Sequence, residues 1–215
     1  MARKNAAVRR DEILAATVEE IEASGLRTLR VSDVAARLGL SASLVIYHFE
    51  TKEALVSEAF GYAGRQDIDH ARDLASGAPP AHPTATAADA VAEPDSAALS
   101  ARQRLWNVIR WYMPSGSSRS WRIWIDAWSA GLFDEEVKST FAGLDREWKS
   151  VLSGLMDEGI AAGECRPPEG GTEACATRML AYLDGLAIQM MVNPDTVDAE
   201  RIAVWVEDFL ARELA

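Results

Sequence analysis

Residues 32–49 read SDVAARLGLSASLVIYHF. Ala35 and Gly39 stand four apart, which places a small residue where two helices cross and a glycine at the turn between them. Val34, Leu38, Leu40 and Val45 supply an apolar underside. Ser32 and Ser41 each fall where an N-cap hydroxyl accepts orphan amides, so the stretch predicts two short helices, 32–38 and 41–49. The second is too short to persist alone and must be held by neighbouring helices. Held in that way, it has the layout of the helix-turn-helix that presses its second helix into the DNA major groove. An ordinary helical hairpin shares the A-x-x-x-G spacing, and spacing alone does not separate the two.

Outward from this stretch the pattern stays helical. Upstream, residues 8–24 place Ile13, Leu14, Thr17, Val18 and Ile21 on one stripe, and Gly25 ends the segment. Downstream, Thr51 caps a helix running to about Leu74. Residues 76–100 then hold half of the eight prolines (Pro79, Pro80, Pro83 and Pro94) among small polar residues, which predicts a mobile loop. Amphipathic segments follow at about 98–113, 119–132, 134–162, 172–192 and 198–214, punctuated by Pro114, the Ser/Gly run 115–118, Gly163 to Gly171 and Asn193-Pro194. No strand-like alternation persists. The expected fold class is all-α: a three-helix helix-turn-helix domain over 1–52 and a helical-bundle domain over 53–215.

Charge separates the same two parts. The chain of 215 residues carries a net −11. Residues 1–52 hold eight Lys/Arg against seven Asp/Glu (+1), and 53–215 hold 14 against 26 (−12). Arg3, Lys4, Arg9 and Arg10 cluster at the start. A neutral-to-basic head on an acidic body permits one local anion-binding face and argues against indiscriminate coating of nucleic acid. Lys52 points the same way. It falls in the first turn after Thr51, where the helix dipole disfavours a cation unless an anion shares the site, and a DNA phosphate is one such anion. Neutralisation by Glu53 on a solvated surface is the alternative reading.

The run from Ile13 through Gly25 to VSDVAARLGLSASLVIYHFETKEALVSEAF closely resembles the N-terminal domain of the tetracycline-repressor (TetR) family of bacterial transcription regulators. Gly25, Val31-Ser32, Val34-Ala35, Gly39, the Tyr47-His48-Phe49 triplet and Lys52-Glu53-x-Leu55 carry the likeness, in order and with correct gaps over about 50 residues. The resemblance implies that the head binds double-stranded operator DNA, with Ser41, Ala42, Ser43, Leu44 and Tyr47 facing the groove and Ser32, His48 and Lys52 near phosphates. Hydroxyls bond base edges or phosphates, and Ala42 and Leu44 suit thymine methyls. Ile46 departs from the aromatic pair that many members carry before the histidine, which leaves a tyrosine phosphate contact to Tyr47. The resemblance further implies a body that holds a small ligand and forms a dimer. The piece RPPEGGTEACATRMLAYLDGLAIQMMV is similar to the betaine-repressor-like branch, whose ligands vary.

All seven tryptophans lie after residue 100, five of them between 106 and 128. Trp121, Trp124 and Trp128 recur on one helical face. A core stripe explains this spacing, but clustered indoles, whose N–H groups need partners, also line cavities. The expected ligand-binding residues are Trp111, Tyr112, Trp124, Asp126, Trp128, Met156 and Tyr182, and indole faces on an acidic body favour an amphipathic or cationic effector. Met179, Leu183, Leu186 and Met190, with Ile202, Trp205, Val206 and Phe209 on the last helix, form apolar stripes on more than one face and are the expected homodimer interface, burial within one chain being the alternative.

An enzyme is excluded by the absence of HExxH, GxSxG or a phosphate-binding glycine loop, and by the scatter of the three histidines, His48, His70 and His82. No metal or cofactor is called for. Two rival readings fit the sequence as well: a thiol-based redox regulator using Cys165 and Cys175, and a helical partner-binding protein without DNA activity. Lacking a signal sequence and any apolar run of membrane-spanning length, the chain is expected to be cytoplasmic, with no membrane partner.

Overall fold

The computed structural model describes residues 6–77, 99–114 and 120–215, with the side chain of Ser120 excepted. Most of the expected loop 76–100, the Ser/Gly run 115–118, His82, Arg3 and Lys4 lie outside the described residues. Within them there are nine α-helices and no strand: α1 (Ala6–Ser24), α2 (Val31–Arg37), α3 (Ala42–Phe49), α4 (Lys52–Ser76), α5 (Ala101–Tyr112), α6 (Ser120–Gly131), α7 (Glu135–Ala161), α8 (Thr172–Val192) and α9 (Ala199–Leu214). None of the described helices is long and apolar enough to cross a membrane.

Side-chain caps set several of the helix starts. Ser41 Oγ accepts the Leu44 N–H at 3.2 Å, and Thr51 Oγ1 accepts the Ala54 N–H at 3.0 Å. Ser100 forms a reciprocal capping box with Gln103, and Asp198 accepts the Arg201 N–H at 2.9 Å. Ser32 does not cap α2. The helix begins at Val31, the extended residue before it is Arg30, and the Ser32 hydroxyl turns to Asp33 Oδ1 at 3.2 Å. Gly39 adopts φ +64° in the turn between α2 and α3, a conformation that a side chain would strain. A short 3-10 turn, Leu26–Thr28, joins α1 to α2.

The helices fall into two compact units that do not follow a cut at residue 52. The first takes its described residues from Met1–Gln66 and Arg119–Leu144, so α6 and the start of α7 belong with the head. Its core joins Ile13 and Ile21 of α1, Val34 of α2, Val45 and Phe49 of α3, and Leu55 and Phe60 of α4 to Ile123, Ala127 and Val137. Each large apolar side chain buried in this way contributes roughly 1.5–3 kcal/mol. The second unit covers Asp67–Ser118 and Asp145–Ala215. There α8 buries Met179, Leu183, Leu186 and Met190, and α9 buries Ile202 and Val206. The segment before α8 is tied to the last helix, where the Arg166 N–H donates to the Leu214 carbonyl at 2.9 Å, and α8 itself is tied there by the Arg178–Glu213 pair.

Candidate nucleic-acid interface and effector site

Helix α3 is sharply two-faced. Val45 and Phe49, one turn apart, are 0% and 2% exposed and pin the helix to the core. Ser41, Ala42, Ser43 and Leu44 are exposed, and Tyr47 is 80% exposed. Ser32 is also exposed, while His48 is half-buried, its ring centroid 5.6 Å from Tyr47 and 6.5 Å from Phe49. Ile46 is half-buried, so the outward-facing aromatic of this helix is Tyr47.

Arg10 holds this helix from behind. Its guanidinium lies 4.2 Å from the Phe49 ring centroid, donates to the His48 carbonyl and pairs with Glu58 of α4. A cation there complements the negative C-terminal end of α3. Arg9 pairs with Glu12 at 2.8 Å and Arg37 with Glu20 at 2.6 Å, so these cations of the head are engaged within the chain. Lys52 forms no ion pair among the described residues, with Glu53 or any other. It sits half-buried in the first turn of α4, beside the outward face of α3 in sequence.

A second cluster lies in the other unit. The Trp111 and Trp148 rings are near-parallel at 6.1 Å, Tyr112 meets Trp148 edge-on at 4.8 Å, and His70 lies 4.5 Å from Trp111. Tyr112 Oη donates to Asp184 Oδ1 at 2.6 Å. Burial pushes the Asp184 carboxyl up to about 6, against the opposing pull of the Tyr112 hydrogen bond, with Asp145 adding to the rise. The phenol is held well above its ordinary range, first by burial and then by Asp184, with Asp67 and Asp145 reinforcing it. His70 is lowered by burial. Lys149 pairs with Asp145 at 2.7 Å, whereas Asp184 has no ion pair among the described residues. Aromatic faces next to an acidic group without a counter-ion form a cation-binding chemistry.

Of the seven expected ligand residues, Trp111 and Tyr112 come together here. Met156 is fully buried in the same unit. Tyr182 instead stacks on Phe209 at 5.1 Å, beside an open depression of about 460 Å³ that Leu186, Trp205, Asp208 and Arg212 also line. Trp124, Asp126 and Trp128 belong to the head's unit. There Trp124 meets Phe141 edge-on at 5.9 Å, Trp128 lies 6.3 Å from Trp121, and Asp126 accepts a head amide. Sequence reasoning missed His70, Trp148 and Asp184 as members of the cluster. The available signal was Asp184 itself, a lone acid in the apolar run MLAYLDGLAIQMM.

Burial also redraws the expected dimer residues. Met179, Leu183, Leu186, Met190, Ile202 and Val206 are buried in their own chain, because their stripe is the one that packs the bundle. Trp205 remains 38% exposed and Phe209 half-buried. The outer face of α8 is instead Ala181, Gly185, Ile188 and Val192, and Val204 is exposed on α9. Cys165 and Cys175 are unpaired and buried, and burial pushes both thiols up, Cys175 to about 12. Thiolate is scarce at neutral pH in such surroundings, which disfavours redox sensing.

Comparison with known proteins agrees with this geometry. A family model described as "BetI-type transcriptional repressor, C-terminal" matches residues 101–215, and one described as "Bacterial regulatory proteins, tetR family" matches residues 13–59. The HTH-type transcriptional regulator BetI of Vibrio vulnificus (strain YJ016) is 21% identical over 96% of this chain and 93% of its own length. Among solved structures, a TetR transcription regulator from Haloarcula marismortui superposes with a TM-score of 0.78 at 17% identity, covering 97% of this chain and 100% of that one. A transcriptional regulator from Saccharomonospora viridis, in complex with choline, gives 0.75 at 20% identity, covering 97% and 98%.

Proposed function

We propose, from the premise that this chain belongs to the tetR family of bacterial regulatory proteins and carries a BetI-type repressor C-terminal region, that it binds palindromic operator DNA as a homodimer through α3 and is released by a small organic cation. The observation that carries the DNA half is the division of α3 into a locked inner edge, Val45 and Phe49, and an outer face, Ser41 to Leu44 with Tyr47, that the rest of the unit leaves open. Two such helices related by two-fold symmetry fit half-sites one helical turn apart, or a multiple of it. Selection of bound DNA from a random pool tests this reading, and enrichment without two-fold symmetry would contradict it.

Lys52 supplies a phosphate contact that carries no sequence information. Lys52→Ala therefore weakens operator and random DNA alike and lowers the steepness of log affinity against log salt by about 1. Lost sequence preference at an unchanged salt slope would exclude this role.

For the effector, the support is the Trp111–Tyr112–Trp148 cluster with Asp184, together with the choline bound in the similar Saccharomonospora viridis structure. A quaternary ammonium suits aromatic faces and an acid without a counter-ion, whereas an anion would meet Asp67, Asp145 and Asp184. A ligand that prefers the non-binding conformation weakens DNA binding by the same factor by which DNA weakens the ligand, typically about 5–150-fold. Tryptophan fluorescence titrated with choline, its uncharged carbon isostere and an anionic metabolite tests the choice. Saturable quenching by choline alone is expected, and an equal response to the uncharged isostere would count against a cation site.

A further inference from the structure

Asp126 lies on α6, one hundred residues along the chain from the group it meets. Its Oδ2 accepts the N–H of Leu26 at 2.7 Å. Leu26 opens the 3-10 turn that leads from α1 to α2. Gly25, just before it, has φ +82° and offers no side-chain cap, while its own N–H closes α1 on the Ile21 carbonyl at 2.8 Å. The first amide of the turn therefore has no local side-chain acceptor, and α6 supplies one. On either side of Asp126, Ile123 and Ala127 are buried in the core that also holds Val34, Val45 and Phe49. Helix α6 is thus built into the reading unit by packing, and at one polar point it fixes the turn that sets where α2, and α3 behind it, begin.

We infer that Asp126 is a positioning residue for DNA reading: its carboxylate holds the Leu26 turn and thereby the pose of α3. The residue makes no contact with DNA on this account and acts through the helix it orients. The inference rests on the reading of α3 as the groove helix. A carboxylate acceptor makes a stronger bond to an amide than a neutral group, but a carboxamide oxygen still accepts it.

The test uses the full chain with Asp126→Ala and Asp126→Asn. Affinity is measured for the selected operator and for random DNA across a salt series, alongside amide hydrogen exchange at Leu26. Asp126→Ala is expected to lower the ratio of operator to random-DNA affinity about tenfold, the scale of one lost charge-assisted hydrogen bond, with the salt slope unchanged. Exchange at Leu26 should accelerate while amides in the core of α1 stay protected. Asp126→Asn should keep the ratio within about threefold of the parent and preserve Leu26 protection. The inference is overturned if the alanine variant keeps its operator preference, or if operator and random-DNA affinity fall together with loss of cooperative unfolding while the asparagine variant does the same. A parent protein that shows no operator preference at all would instead overturn the assignment of α3.

Discussion

Asp184 carries its charge at a cost. Its carboxyl titrates at about 6 in the folded chain against an ordinary 3.8, so the folded state holds the proton more tightly than the unfolded one. The stability that follows from this is fully present below about pH 4 and is lost as pH rises through about 6. Asp184→Asn keeps an acceptor for the Tyr112 hydroxyl and removes the charge. Thermal melts should therefore show the variant gaining on the parent between pH 5 and pH 7.5, and a constant difference would contradict the assignment. The same substitution should weaken choline binding at least about tenfold at pH 7.5, because the charge is what the cation meets. In the parent, choline affinity should rise as pH passes upward through 6. The composition of this cluster was only half legible in the sequence. Aromatic crowding marks Trp111 and Tyr112, but the partners that make their site, Trp148 on α7 and Asp184 on α8, arrive by tertiary packing and no spacing rule joins them.

At the scale of single elements, α3 has eight residues, well short of the roughly 12–15 at which an isolated helix becomes marginal. Its persistence depends on Val45, Phe49 and the grip of Arg10. Arg10→Ala removes the ring contact and the ion pair at a partly exposed site, which costs about 1–2 kcal/mol in chemical denaturation, and it should lower operator affinity more than affinity for random DNA. An equal fall in both would show Arg10 to be a phosphate contact instead. Apolar recurrence at three and four, with cap and turn residues for the two short helices, places every described helix to within a few residues, because these are local signals. Two details escape that signal. Arg30 takes the extended position before α2, so Ser32 falls inside the helix. The turn at Leu26 has its acceptor a hundred residues away, so nothing local in the sequence separates Asp126 as a support for the head from a lining residue on an aromatic helix.

Across the whole molecule, the outer faces of the last two helices carry the dimer proposal. Ile188 and Val192 of α8 and Val204 of α9 are apolar and exposed, and Gly185 leaves space on the same face. Ile188→Asp with Val204→Asp should shift sedimentation at micromolar concentration from dimer to monomer while leaving the helical signal intact. A dimer that survives both changes would place the interface elsewhere. The apolar stripes were visible in the sequence, but which one faces inward was not, since periodicity gives a face without saying what covers it. Ile123, Ala127 and Val137 close a core begun by Ile13, so a fragment ending at Gln66 should unfold without cooperativity. During synthesis, the ribosome must deliver some seventy further residues before that core can shut. The growing polypeptide should therefore leave the apolar sides of its first four helices uncovered until about two-thirds of it has emerged.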